Sequence, residues 1–213
     1  VSKEKPTLAL DDDPDLPGRV PMDQGKIVVA AVLFEAGLAP LALVLGNFWG
    51  QDPFAMFAWN LRGLVDGALA TVPMVLLLLA AIRWPIGPLA RIMRVVNETI
   101  APLLRGRPAS DLALLAVAAG VGEELLFRGV IQGALAHRFG MGAGLALAAT
   151  LFGFLHPITL AYVLIAGLLG AYLGAVWIAS GNLLVVMVAH ALYDFVALRL
   201  LLRDLPSPAA GET

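Results

Sequence analysis

Apolar residues run along this chain in blocks too long for the core of a soluble domain. Five of them extend over about 20 residues, the length needed to cross a hydrocarbon layer roughly 30 Å thick. They are Lys26 to Gly46, Gly63 to Ile82, Ser110 to Ala136, Thr159 to Ala179 and Leu183 to Leu202, and a shorter sixth covers Met141 to Leu155. The pattern predicts an all-α fold, a polytopic transmembrane helical bundle of about six spans. Between the second and third spans, Arg91, Arg94, Glu98 and Arg105 cluster at helical spacing with Ile92, Val96, Ile100 and Leu103 elsewhere on the cylinder. That is the pattern of an interfacial amphipathic helix lying along the membrane. The expected organisation is a disordered or surface-lying tail over residues 1–25, a first pair of spans with the amphipathic connection over 26–109, a helical core over 110–203 and a short tail over 204–213.

Composition agrees with a bilayer protein. Hydrophobic residues make up 60% of the chain against 14% charged, and the mean hydropathy is +0.86, well above a soluble domain. The net charge of −2 implies no nucleic acid as partner, and the absence of cysteine removes disulfides, thiolate ligands and a thiol nucleophile. The polar start carries an acidic run at Asp11, Asp12 and Asp13 and four prolines, and no secretory signal pattern, so the first span is expected to remain in the mature protein. Trp49, Trp59, Trp84 and Trp177 all fall near predicted span ends, as an interfacial belt would place them. Five arginines between Arg83 and Ser110 face a single acid, Glu98. By the positive-inside rule that connection is cytoplasmic, which by parity predicts a multi-pass protein of the inner (plasma) membrane with both termini cytoplasmic.

Against this background the intramembrane charges stand out. Glu123, Glu124 and Arg128 lie midway through the third span, where an ionisable side chain costs several kcal/mol unless it is paired or faces water. Positions i and i+4 share a helix face, whereas neighbours are about 100° apart. Glu124 therefore stacks on Arg128 as a bracing pair, and Glu123 is left as an unpaired carboxylate able to accept a proton from water. A purely structural ion-pair cluster is the bland alternative. Phe152 and His156 share a face at the end of the next span, with Pro157 ending the helix, and His190 and Asp194 repeat the i, i+4 spacing in the last span. Glu35 and Asp66 are also intramembrane acids, read as bundle-facing or path-lining residues. Gly167, Gly170 and Gly174 form a small-residue stripe suited to close helix packing.

EExxxR, FxxxH and HxxxD, in this order on successive apolar spans, resemble the three motifs of the CPBP family, the type II CAAX prenyl endopeptidases and bacteriocin-processing enzymes also called Abi. The resemblance covers about Ser110 to Arg203. It implies an intramembrane endopeptidase acting on a peptide or protein substrate at the membrane. By the same carry-over Glu123 is the catalytic base, His156 helps to hold and activate the water, and His190 with Asp194 stabilises the oxyanion or a metal. Glu124, Arg128 and Phe152 are support. Asp194 departs from the asparagine of the prenyl-processing branch, and an ionised carboxylate has no proton to donate. It must be protonated, orient His190, or ligate a metal. One Glu, two His and one Asp (Glu123, His156, His190 and Asp194) also make a chemically credible Zn2+ site, so metalloprotease and metal-free glutamate chemistry both stay open. A proton-coupled carrier and a non-catalytic immunity or scaffold protein are the competing readings. The chain shows no inverted repeat of the kind carriers use, and its motif set is intact.

Overall fold

The computed structural model describes residues 23–203, which fold into an all-helical bundle. Most of the expected 1–25 tail, with its acidic run, and the 204–213 tail lie outside the described residues. The elements are α1 (Gln24–Trp49), α2 (Leu61–Arg83), α3 (Pro88–Val95), α4 (Ala101–Leu104), α5 (Ala109–Leu126), α6 (Gly133–Phe139), α7 (Met141–Phe154), α8 (Leu160–Ser180) and α9 (Leu183–Arg203). Helices α1, α2, α8 and α9 are each long and apolar enough to cross a membrane. The third predicted span exists as one rod, α5 running into α6 through a π-helical stretch over Phe127–Gln132. At the helical rise α7 is only about 21 Å long, shorter than a full crossing, and His156 follows its end. Local signals set the ends. Asp23 caps α1 through Gly25 N–H, Thr159 Oγ1 caps α8 by accepting from Tyr162 N–H, and Gly50 and Gly181 close α1 and α8 in the left-handed region at φ 66° and 61°.

The connection between α2 and α5 is helical as predicted, with a π turn over Val96–Ile100 between α3 and α4. Arg91, Arg94 and Glu98 are exposed, whereas Ile92, Ala101 and Leu104 are buried. Gln24 Nε2 donates to the Pro102 carbonyl at 2.9 Å and ties this connection to the start of α1.

Helix α5 is the hub. It packs along α1 on one side and α9 on another, while α7 pairs with α8 and α2 with α9. Large apolar side chains such as Phe34, Leu69, Leu164 and Leu168 stay exposed, which in a bilayer is the lipid-facing surface. The few polar groups inside are used as ties between helices. Thr71 Oγ1 donates to Gly67 and Ala189 carbonyls at 3.0 and 3.3 Å, and Tyr172 Oη donates to Ala70 at 2.8 Å. The α1–α2 loop is held by Asn182, whose side chain both accepts from Ala58 N–H and donates to Ala58 C=O at 2.9 Å. Because this loop folds back over the bundle end, Trp177 is buried beneath it, whereas Trp49, Trp59 and Trp84 are exposed. Trp177 is thus a core residue and not part of an interfacial belt. Asp66 is paired with the exposed Arg62 at 3.4 Å and lies at the surface, as does His137.

Small residues permit the closest approaches. A Cβ on Gly122 would collide with the Glu35 carbonyl oxygen of α1, while one on Gly142 would meet open space. Gly122→Ala should therefore lower stability by about 1–3 kcal/mol through overpacking, and Gly142→Ala should be neutral or slightly stabilising. Melting temperatures in detergent decide between them, and equal behaviour of the two variants would contradict the α1–α5 packing.

Candidate active site

The motif side chains converge from three helices on the interior of the bundle. Arg128 is 2% exposed and fully engaged. Its Nη1 donates to Glu124 Oε1 at 3.0 Å, its Nη2 donates to the Gly170 carbonyl of α8 at 2.8 Å, and its guanidinium lies 5.0 Å from the centre of the Phe152 ring. The i, i+4 pairing expected from the sequence is therefore present. One turn on, Gln132 Nε2 reaches the Gly174 carbonyl at 3.3 Å. The glycine stripe of α8 thus does more than allow packing, because without side chains its carbonyls are open to the polar groups of the π-helical stretch. Such stretches are frequent at functional sites.

Glu124 is completely buried and its Oε1 accepts a second hydrogen bond, from His190 Nδ1 at 2.8 Å. This link joins α5 to α9 and has no local signal in the sequence. The other ring nitrogen, Nε2, faces Asp194 Oδ2 at 3.5 Å, a loose contact. His190 thus stands between two carboxylates, which accept and do not donate, so a ring carrying both protons satisfies both.

His156 belongs to a second, looser half. Its Nδ1 lies 2.7 Å from the Phe152 carbonyl, which can only accept, so Nδ1 carries a proton and Nε2 is left as the acceptor of the neutral ring. That Nε2 lies 3.9 Å from Glu123 Oε1. Glu123 Oε2 is buried without a hydrogen-bond partner. Phe152 stands between the halves. It stacks on the His156 ring at 4.6 Å and meets the His190 ring edge-on at 6.1 Å, so FxxxH supplies both an imidazole and the wall it rests on.

Two residues that sequence reasoning did not place here also face the site. The Tyr162 ring lies 6.4 Å from that of His156, and Glu35 of α1 is within electrostatic reach of Glu123, Asp194, His190 and His156. Glu35 is conspicuous in the sequence as a lone acid in a span, but which way it points depends on how α1 packs. Glu123, His156, His190 and Asp194 do not form a zinc centre as arranged. Among the described residues no three His, Asp or Glu side chains converge in a metal-holding geometry, because both nitrogens of His190 are turned to carboxylates and Nδ1 of His156 to a backbone carbonyl.

The fold and this cluster define a polytopic helical membrane protein with buried carboxylates and imidazoles gathered inside the bundle. Residues 106–196 match the family model described as type II CAAX prenyl endopeptidase Rce1-like, a likeness that covers less than half of the chain. The likeness over that segment is to a family of peptidases. No curated protein and no solved structure matches the chain.

Truncating either partner of the buried pair strands the other charge. Arg128→Ala and Glu124→Ala should each destabilise the protein by about 3–5 kcal/mol, read as a drop in thermal midpoint in detergent. Glu123→Ala, whose carboxylate has no fixed cation, should leave the midpoint near that of the wild type. A large loss from Glu123→Ala alone would reverse the division of roles.

Proposed function

We propose that this protein is an intramembrane endopeptidase that hydrolyses a peptide bond of a membrane-associated peptide or protein, with Glu123 as general base. The observation that carries the reading is the 3.9 Å approach of Glu123 Oε1 and His156 Nε2. The gap is too wide for a direct hydrogen bond and suits one water contacting both at about 2.8 Å. Such a water gives one proton to the carboxylate and directs the other at the imidazole. Its oxygen is left free to attack the carbonyl carbon.

The opposite half serves the developing oxyanion. Glu124 fixes the ring of His190 from Nδ1, and the slack at Asp194 leaves the Nε2–H able to turn towards negative charge on the substrate. Asp194 in this reading orients His190 and is not itself the donor. Arg128 holds Glu124 and touches no substrate.

Cleavage of a farnesylated CAAX-type peptide, and of its unprenylated twin, by purified protein in detergent tests the proposal and the need for the lipid together. Glu123→Gln should lower kcat by about 100-fold or more with an unchanged melting temperature. Turnover that survives Glu123→Gln would overturn the assignment. The arginine-rich connection further supports a protein of the inner (plasma) membrane with that segment and both termini cytoplasmic. With no native cysteine, a single cysteine at Arg94 should react with an impermeant reagent only after cells are opened, and labelling from outside intact cells would reverse the topology.

A further inference from the structure

Helix α1 lies outside the segment that matches the peptidase family, yet it brings a carboxyl to the site. The Glu35 backbone carbonyl is packed against Gly122, the residue before Glu123. Its side chain is within electrostatic reach of Glu123, Asp194, His190 and His156. Its Oε2 is buried and has no hydrogen-bond partner among the described residues. The fixed cations of the site are committed elsewhere, Arg128 to Glu124 and the Gly170 carbonyl, and His190 to Glu124 and Asp194.

That leaves Glu123 and Glu35 as two carboxyls without a cation of their own in a low-dielectric interior. Two acids within electrostatic reach in such an interior do not both ionise freely. With Glu123 ionised as the base, Glu35 is the group that carries the proton.

We infer that Glu35 is the proton donor to the leaving amine, a catalytic residue supplied from outside the Rce1-like segment. The inference rests on the endopeptidase reading. In the step, Glu123 removes a proton from water and the oxygen bonds to the carbonyl carbon. The C–N bond then breaks, its electron pair stays on nitrogen, and nitrogen takes the proton of Glu35. The products are a carboxylic acid and an amine. Passage of the proton from Glu123 to its neighbour Glu35 restores the starting state. No other co-reactant enters the balance.

An amine leaves poorly unless it is protonated, whereas an alkoxide depends far less on that help. The test is therefore the farnesylated CAAX-type peptide and its depsipeptide twin, in which an ester replaces the scissile amide, turned over by wild type, Glu35→Gln and Glu123→Gln. Glu35→Gln should lower kcat on the amide by about 100-fold or more with KM little changed, and on the ester by less than about 3-fold. Equal losses on both substrates, or an undiminished rate on the amide, would overturn the role. Glu123→Gln should silence both substrates, and if the wild type turns over neither, the endopeptidase reading has failed instead of the Glu35 assignment. An infrared difference spectrum of wild type against Glu35→Gln needs no turnover. It should show loss of the C=O stretch of a protonated carboxyl, and the absence of that band contradicts the proposal.

Discussion

The positive charge of Arg128 has to be satisfied inside a bundle whose outer surface faces lipid. Water is not there to solvate it, and a guanidinium left alone at that depth is costly. The protein surrounds it with a carboxylate, a backbone carbonyl and an aromatic face, contributed by α5, α8 and α7 respectively. Each of those groups is fixed in turn by what else it touches. Glu124 cannot move without releasing Arg128, and because its Oε1 also holds His190 Nδ1, the ring on α9 is oriented by the same charge. A Cβ on Gly170 would crowd the Phe152 ring at 3.1 Å, so the bare glycine lets that ring sit close. One buried cation therefore sets the relative positions of four helices.

The result is a site with a rigid half and a compliant half. Around Arg128, Glu124 and His190 the contacts are short, buried and charge-assisted, which is the condition for donors that need no reorganisation when charge develops. Between Glu123 and His156 the nearest approach is 3.9 Å, with no direct hydrogen bond joining the two side chains. A water with its attacking orbital free needs slack of this kind, because a base already committed to a direct hydrogen bond has less capacity left for the water. Phe152 divides the two halves physically and keeps the imidazoles from sharing a partner.

Much of this was legible in the chain because it depends on short-range periodicity. Apolar run length located the spans, and the i, i+4 rule paired Glu124 with Arg128 and set Glu123 apart. What the sequence hid depends on contacts between distant segments. Nothing near residue 124 announces a bond to residue 190. The π-helical stretch over Phe127–Gln132 has no compositional mark, since one extra residue per turn is stabilised by where Arg128 and Gln132 find carbonyls on α8. The same glycines read as a packing stripe because their absent side chains, and not their exposed carbonyls, are visible in a sequence. Trp177 looked interfacial from its position in the span and is buried because the α1–α2 loop folds back over it.

Asp194 has a consequence for the charge balance of the whole cluster. A carboxylate at this position adds a negative charge where an amide would add only a dipole. The contact of His190 to Asp194 is loose, at 3.5 Å, while its contact to Glu124 is tight, at 2.8 Å, so the ring is anchored on the Glu124 side and has slack on the other. The excess of acids over cations also makes it costly for every carboxyl in the cluster to be ionised at once. Glu35, carried in on α1 where Gly122 lets the backbones meet, adds to that excess.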